Sequence, residues 1–158
     1  MRRFAHSFLS ISTFLGLSFG GLPVAHTETE LLQSYRWENR ILLVFAEDSD
    51  DVRYQQLKQN IDQEACEVGD RDLLVGYLFA NDSNQPSTFA DQVLSQSDVD
   101  RLGDRHNPND SDFAVVLIGK DGGTKLRSST LINLNPIFSE IDSMPMRQRE
   151  MGDRSVEC

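Results

Sequence analysis

Two cysteines, one run of acids and a scatter of cations are the residues of this chain that could do chemistry. The thiols are Cys66 and Cys158. A cysteine attacks only as its thiolate, which forms readily at a helix N-terminus or beside a cation. Cys66 stands among Asp62, Glu64 and Glu67, late in a helical pattern that begins near residue 51. Neighbours and helix dipole therefore both oppose a thiolate. Two readings stay open for Cys66: an inert buried thiol, or a disulfide to Cys158, which an oxidising compartment favours. The acidic run is Glu47-Asp-Ser-Asp-Asp51. It lacks the alternating Asp spacing, the glycine and the distant Glu of a calcium loop, so Asp50 or Asp51 is expected to cap a helix. His106 has no second histidine near it to suggest zinc. No serine-hydrolase elbow or phosphate loop occurs. No catalytic residue, metal or cofactor is assigned. The remaining candidates are Lys120, Asp121, Lys125, Arg127, Arg147 and Arg149, a locally basic surface in an acidic protein. It suits an anion or an acidic peptide if it is more than a solvated face of weak ion pairs.

The elements that must carry these residues follow from apolar patterning. Ile41–Ala46 and Phe113–Ile118 are unbroken apolar runs of strand length, as expected of buried central strands. Leu73–Phe79 reads as a third. Between the first and third runs, Tyr54, Leu57, Ile61 and Ala65 repeat at steps of three and four on one helix face, and Gly69 ends the pattern. A strand-helix-strand connection of this kind is right-handed and its strands parallel. Asp121-Gly122 predicts a tight hairpin between Phe113–Ile118 and an alternating strand at Thr124–Arg127. The stretch Phe89–Leu102 predicts one or two helical turns, capped by Ser97 and stopped at Gly103. Asn135-Pro136 opens a last helix, buried through Ile137, Phe138, Ile141 and Met144, and Pro145 should kink or restart it. Trp37 is expected to plug the core.

The N-terminus predicts a destination. Arg2 and Arg3 precede an apolar stretch from Phe8 to Phe19, then Gly20, Gly21 and Ala25. This is the pattern of a signal peptide over residues 1–25. One domain is expected over 27–151, with a loose tail at 152–158. The formal charge is −10 for 158 residues, and losing Arg2 and Arg3 makes the mature chain more acidic. Such a charge repels phosphate backbones and argues against nucleic-acid binding. No apolar run after residue 26 is long enough to span a membrane.

The order strand, helix, strand, weak helix, strand, strand, helix is an α/β pattern. It predicts a thioredoxin-like mixed sheet of about four strands, a βαβ unit plus a hairpin and a covering C-terminal helix. The hairpin from Ile118 to Arg127 resembles the penultimate hairpin of peroxiredoxin-like proteins. More narrowly, Trp37-Glu-Asn-Arg40, Arg71-Asp-Leu73, Leu117–Arg127 and Ile141-Asp-Ser-Met-Pro-Met-Arg147 together resemble domain-of-unknown-function family 4174, over roughly residues 30–151. That thioredoxin-like domain also occurs in extracellular sushi-repeat and related matrix proteins. The resemblance implies a fold and an extracytoplasmic setting, and no established reaction. Thioredoxin-like enzymes carry a Cys where this chain has Glu47–Asp51, and a proline before the third strand where it has Ser111-Asp112. The expected function is thus a secreted or periplasmic binding or accessory module, with an unidentified protein or a small anion as partner. The alternative is a thiol-disulfide or peroxide-related oxidoreductase using Cys66.

Overall fold

The computed structural model describes residues 28–82, 84–107 and 109–153. The signal-peptide expectation at 1–25 and residues 154–158 of the expected tail lie outside this range. Gly152 and Asp153, expected in the tail, instead close a helix.

Strand β1 (Arg40–Ala46) is buried at every position. It pairs in parallel with β2 (Leu73–Phe79), Arg40 opposite Leu73, and antiparallel with β5 (Phe113–Ile118), Ile41 opposite Ile118. Strand β6 (Thr124–Ser128) returns along β5. Two short strands, β3 (Thr88–Phe89) and β4 (Gln92–Val93), extend the other edge, giving the order β4-β3-β2-β1-β5-β6 among the described residues. The core order β6-β5-β1-β2, with β5 antiparallel to both neighbours, is thioredoxin-like. The two short edge strands add to the four expected from the sequence.

Alternation along the central strands sorts side chains into two cores. Leu42, Val44, Val115 and Leu117 face helices α2 (Val52–Gln63) and α5 (Leu134–Ser143), meeting Tyr54, Leu57, Ile137 and Ile141. Ile41, Leu43, Val116 and Ile118 face the opposite way, toward Val99 and Leu102 of α4 (Gln96–His106). Leu31, Leu32 and Tyr35, in and after α1 (Glu28–Gln33), pack against that second core. Continuous apolar runs are what a sheet covered on both faces requires. Truncating such a fully buried leucine typically costs about 2–5 kcal/mol. Gly76 on β2 makes room for Phe89: a Cβ there would lie 3.0 Å from the Phe89 ring and 3.1 Å from Leu43.

Several local expectations are corrected. The helix expected from residue 51 to Gly69 breaks at Glu64 into α2 and a short α3 (Ala65–Asp70). Cys66 is thus the second residue of α3, and Ala65 is exposed. Ser95, not Ser97, caps α4, and the helix continues through Gly103 to His106. Gly103 faces open space, so its missing side chain costs only propensity. Asn133 precedes α5, which begins at Leu134 and tolerates Pro136 in its first turn. Pro145 restarts the chain as α6 (Pro145–Asp153). The hairpin turn is longer than two residues. The Gly122 amide donates to the Gly119 carbonyl at 2.8 Å and the Gly119 amide to that of Gly123 at 2.9 Å. Gly122 has φ +82°, and Asp121 is not among the residues with positive φ.

Candidate functional site

The end of the sheet where β1 and β2 finish is acidic. Asp51 caps α2, accepting from the Arg53 amide at 2.7 Å, and its carboxyl is held below the usual range first by the hydrogen-bonded Arg53 side chain. Asp48 accepts from the Asp50 amide at 2.9 Å. Asp82 accepts from the Ser49 amide at 2.8 Å and from the Asn84 and Gln85 amides. Those bonds, led by the one to Ser49, depress its carboxyl to about 2. These are turn and cap geometries, with each carboxylate satisfied by nearby main chain. Among the described residues no cluster of His, Cys, Asp and Glu is arranged to hold a metal ion.

The opposite end, where β1 and β2 begin and β5 finishes, is built from charges taken out of water. Arg40 is 0% exposed. Its Nη1 donates to the Arg71 carbonyl at 2.9 Å and to Glu150 at 3.1 Å. Lys120 donates to Asp72 at 2.8 Å and to the other oxygen of Glu150 at 2.7 Å. A second group adjoins it. Arg71 donates to Asp142 at 2.7 Å and lies 4.4 Å from the Phe138 ring centroid. Arg147 donates to the Asp70 carbonyl at 2.8 Å, to the Asp70 carboxylate, and to Asp142 at 3.2 Å. Burial pushes the Glu150 carboxyl up, but hydrogen bonds from Lys120 and Arg40 outweigh it and hold it below the usual range. Asp142 is lowered in the same way: burial opposes, and the bonds from Arg71 and Arg147 prevail.

Trp37 sits over this end. It is 58% exposed, against the expectation of a core plug. Its backbone turns through φ 71°, and its amide donates to the Lys120 carbonyl at 2.7 Å. That bond fixes the left-handed turn feeding Arg40 inward and leaves the indole outside. A groove of about 560 Å³ runs beside it, lined by Trp37, Lys125, Met144, Pro145 and Met146, with Arg40 and Lys120 at its inner side.

The six residues assigned to a basic surface therefore part company. Lys120 and Arg147 are buried in ion pairs, because each lies where a strand end or α6 meets carboxylates from distant segments. Lys125 pairs with Asp121 at 2.7 Å and lines the groove. Arg127 is exposed on β6 and Arg149 on α6. Sequence reasoning did not single out Arg40, Asp142 or Glu150 as site residues. A signal was nevertheless present: Trp37–Arg40, Arg71–Leu73, Lys120 and Met144–Arg147, four separated stretches, all come to this one end. Among the described residues there is no free cysteine. Cys158, the expected partner of Cys66, lies outside them.

A thioredoxin-like sheet, acidic where β1 runs into α2 and closed at its other end by buried ion pairs, defines the class of this domain. The chain belongs to the family described as a domain of unknown function, DUF4174, which matches residues 31–150. It is similar to coiled-coil domain-containing protein 80 of Danio rerio, 26% identical over 134 residues, which is 77% of this chain and 16% of that protein. The chain thus spans about a sixth of that relative's length. Among solved structures it resembles the mitochondrial 2-Cys peroxiredoxin from Plasmodium falciparum, at TM-score 0.48 and 11% identity, covering 80% of this chain and 86% of that one. The fold assignment stands on the strand order and pairing given above.

Proposed function

We propose that this chain is an extracytoplasmic thioredoxin-like domain that works as a binding or accessory module, without redox catalysis, and that the groove beside Trp37 is its contact surface. The observation that carries this reading is Trp37: a large aromatic held in a left-handed conformation, facing solvent at the edge of a groove. Such a conformation is costly for a bulky residue and persists where its surroundings enforce it. Exposed aromatics at the rim of an apolar groove are the usual anchors of binding surfaces. Met144 and Met146 supply adaptable apolar contact, and the Lys125–Asp121 pair gives the groove a polar edge. The start of α2 supports the absence of redox work, because Asp48, Asp50 and Asp51 occupy the position where a thiolate would need positive charge. A disulfide between Cys66 and Cys158 belongs to the same proposal and would remove the last thiol.

The test is complementation of a deletion strain by three forms of the protein. Trp37→Ala is expected to lose activity while keeping its urea midpoint, since an exposed ring contributes little to the core. Cys66→Ser is expected to complement. Failure of Cys66→Ser, together with iodoacetamide labelling that reports a thiol ionising well below a free cysteine, would reverse the reading in favour of redox chemistry. Intact mass of the mature protein, expected to start between about residues 21 and 27, checks the compartment.

A further inference from the structure

We propose that the groove beside Trp37 takes up a soft monovalent metal ion, Cu(I) or its redox-inert stand-in Ag(I), on the thioethers of Met144 and Met146. The inference rests on the reading of that groove as the contact surface and names what it takes up. The chain has four methionines, and all except Met1 fall between residues 144 and 151. Met144 and Met146 both line the groove, and both are partly exposed. Within one helix, residues two apart do not face each other. Here the helix is broken between them. Met144 ends α5 in an extended conformation, φ −70° and ψ 137°, and α6 starts afresh at Pro145. That break is what lets two methionines at this spacing line one groove.

The charges lining the groove favour a cation. Lys125 is paired with Asp121 at 2.7 Å, and Arg40 with Glu150 at 3.1 Å. Lys120 is paired with Asp72 at 2.8 Å and with Glu150 at 2.7 Å. Glu140 lines the same groove, and its carboxylate has no hydrogen-bond or ion-pair partner among the described residues. The unmatched charge is thus negative, in a chain of formal charge −10. Donor chemistry then selects the ion. A hard or borderline ion wants carboxylate, imidazole or thiolate ligands, and no cluster of these is arranged to hold one among the described residues. Thioethers are neutral, polarisable donors that select Cu(I). No described cysteine is free to compete with them. Arg36 lies 5.2 Å from the Trp37 ring centroid and lines the cavity across the hairpin turn, not this groove. The ring is therefore counted as a wall of the site and not as a donor.

The chain has one tryptophan, so its emission reports this groove alone. The experiment is an Ag(I) titration of the oxidised protein in chloride-free buffer, followed by Trp37 emission and by the methionine methyl NMR signals. The Met144 and Met146 methyls should shift together and saturate in step with the emission, while the Met151 methyl stays in place. Met144→Leu and Met146→Leu keep the volume, a swap that packed sites tolerate. Each should weaken Ag(I) at least about ten-fold, since even an outer partner of a metal ligand is worth that much. Glu140→Gln should weaken it by roughly two- to five-fold, the weight of one partly exposed charge. The proposal is overturned if Ag(I) does not saturate below about 100 μM, or if neither leucine variant weakens it. It is overturned equally if Zn(II) or tetramethylammonium moves the same methyls as well as Ag(I) does. Loss of binding in a folded Cys66→Ser, Cys158→Ser double variant would make thiols the ligands and overturn it too. If Ag(I) fails to bind while Trp37→Ala still abolishes complementation, this inference falls and the groove remains the contact surface.

Discussion

The two ends of the sheet handle charge in opposite ways. Where β1 and β2 finish, carboxylates are satisfied by backbone amides, mostly a few residues away: Asp51 by Arg53, Asp48 by Asp50, and Asp82 by Asn84 as well as by Ser49, 33 positions back. Where they begin, charged side chains pair with one another across the chain, although Arg40 Nε and Nη2 and Arg71 Nε are buried without a hydrogen-bond partner among the described residues. Arg40 reaches Glu150, 110 positions on, and Arg71 reaches Asp142, 71 positions on. The first arrangement is local, wet and replaceable. The second is desolvated, and each partner depends on the others, since an isolated buried charge is far more costly than a pair. Chemistry grafted onto the first end would disturb a few caps. At the second, a single change disturbs contacts between segments far apart in the chain.

The sharpest test of that contrast is Arg40→Met. It removes one partner from a buried pair and should cost about 3–5 kcal/mol, read as a fall in urea midpoint. The double variant Arg40→Met, Glu150→Met should recover part of the loss, since no charge is stranded on that side. If the single variant were as stable as the parent, the network would be ornamental and the contrast would collapse.

Acid should next probe the desolvated end, where His106, Glu150 and Asp142 all lie. His106 has a folded pKa near 4 against an ordinary 6.5. Between those values the unfolded chain takes up a proton that the folded one refuses, so stability is full above pH 6.5 and declines toward pH 4, on the order of 2–3 kcal/mol in all. His106→Phe should flatten that limb in melts across the range. A further decline, common to parent and variant, begins below about pH 4.5, as Glu150 and Asp142, held below their ordinary values, lose the stability they contribute above them.

Smaller effects refine the picture. Gly122→Val forces a β-branched residue into φ +82° and should cost about 1–3 kcal/mol. Gly103→Val, in a helical position with open space beside it, should be near neutral, since valine is the better helix former. Paired urea melts distinguish the two, and equal midpoints would remove the turn from the account. Smallest is Asp51→Ala at the acidic end, about 1 kcal/mol for a lost cap, with Asp51→Asn close to neutral.

How much of this was legible in the sequence follows the same division. Ile41–Ala46, Phe113–Ile118 and the Tyr54-Leu57-Ile61 stripe announced strands and helix through patterning, and the acidic run announced a cap at Asp50 or Asp51, which is Asp51. These signals are local. The short strands at Thr88–Phe89 and Gln92–Val93 were not legible, because two-residue strands carry no period. Trp37 misled because bulk argues for burial, while its exposure is set by a backbone bond to Lys120, 83 positions away. Lys120 and Arg147 looked like surface cations for a related reason. Composition places lysine and arginine outside, and only the folded register supplies Asp72, Glu150, Asp70 and Asp142 around them. The hairpin lay between these cases: its glycine was right, its length was not.

Helix α6 turns inward through a single buried side chain, that of Arg147. Almost nothing greasy holds it down. Lifting it would hydrate Arg40, Lys120 and their carboxylates without uncovering the leucine core, so its release is a local opening rather than the start of global collapse. Amide protection along residues 146–153, after correction for the intrinsic pH dependence of exchange, should therefore fall at low pH while β1 and β5 stay protected. Because Pro145 and Met146 wall the groove beside Trp37, each opening also dismantles that groove. Anything seated there would act as a latch, slowing exchange in a helix it touches at only one end.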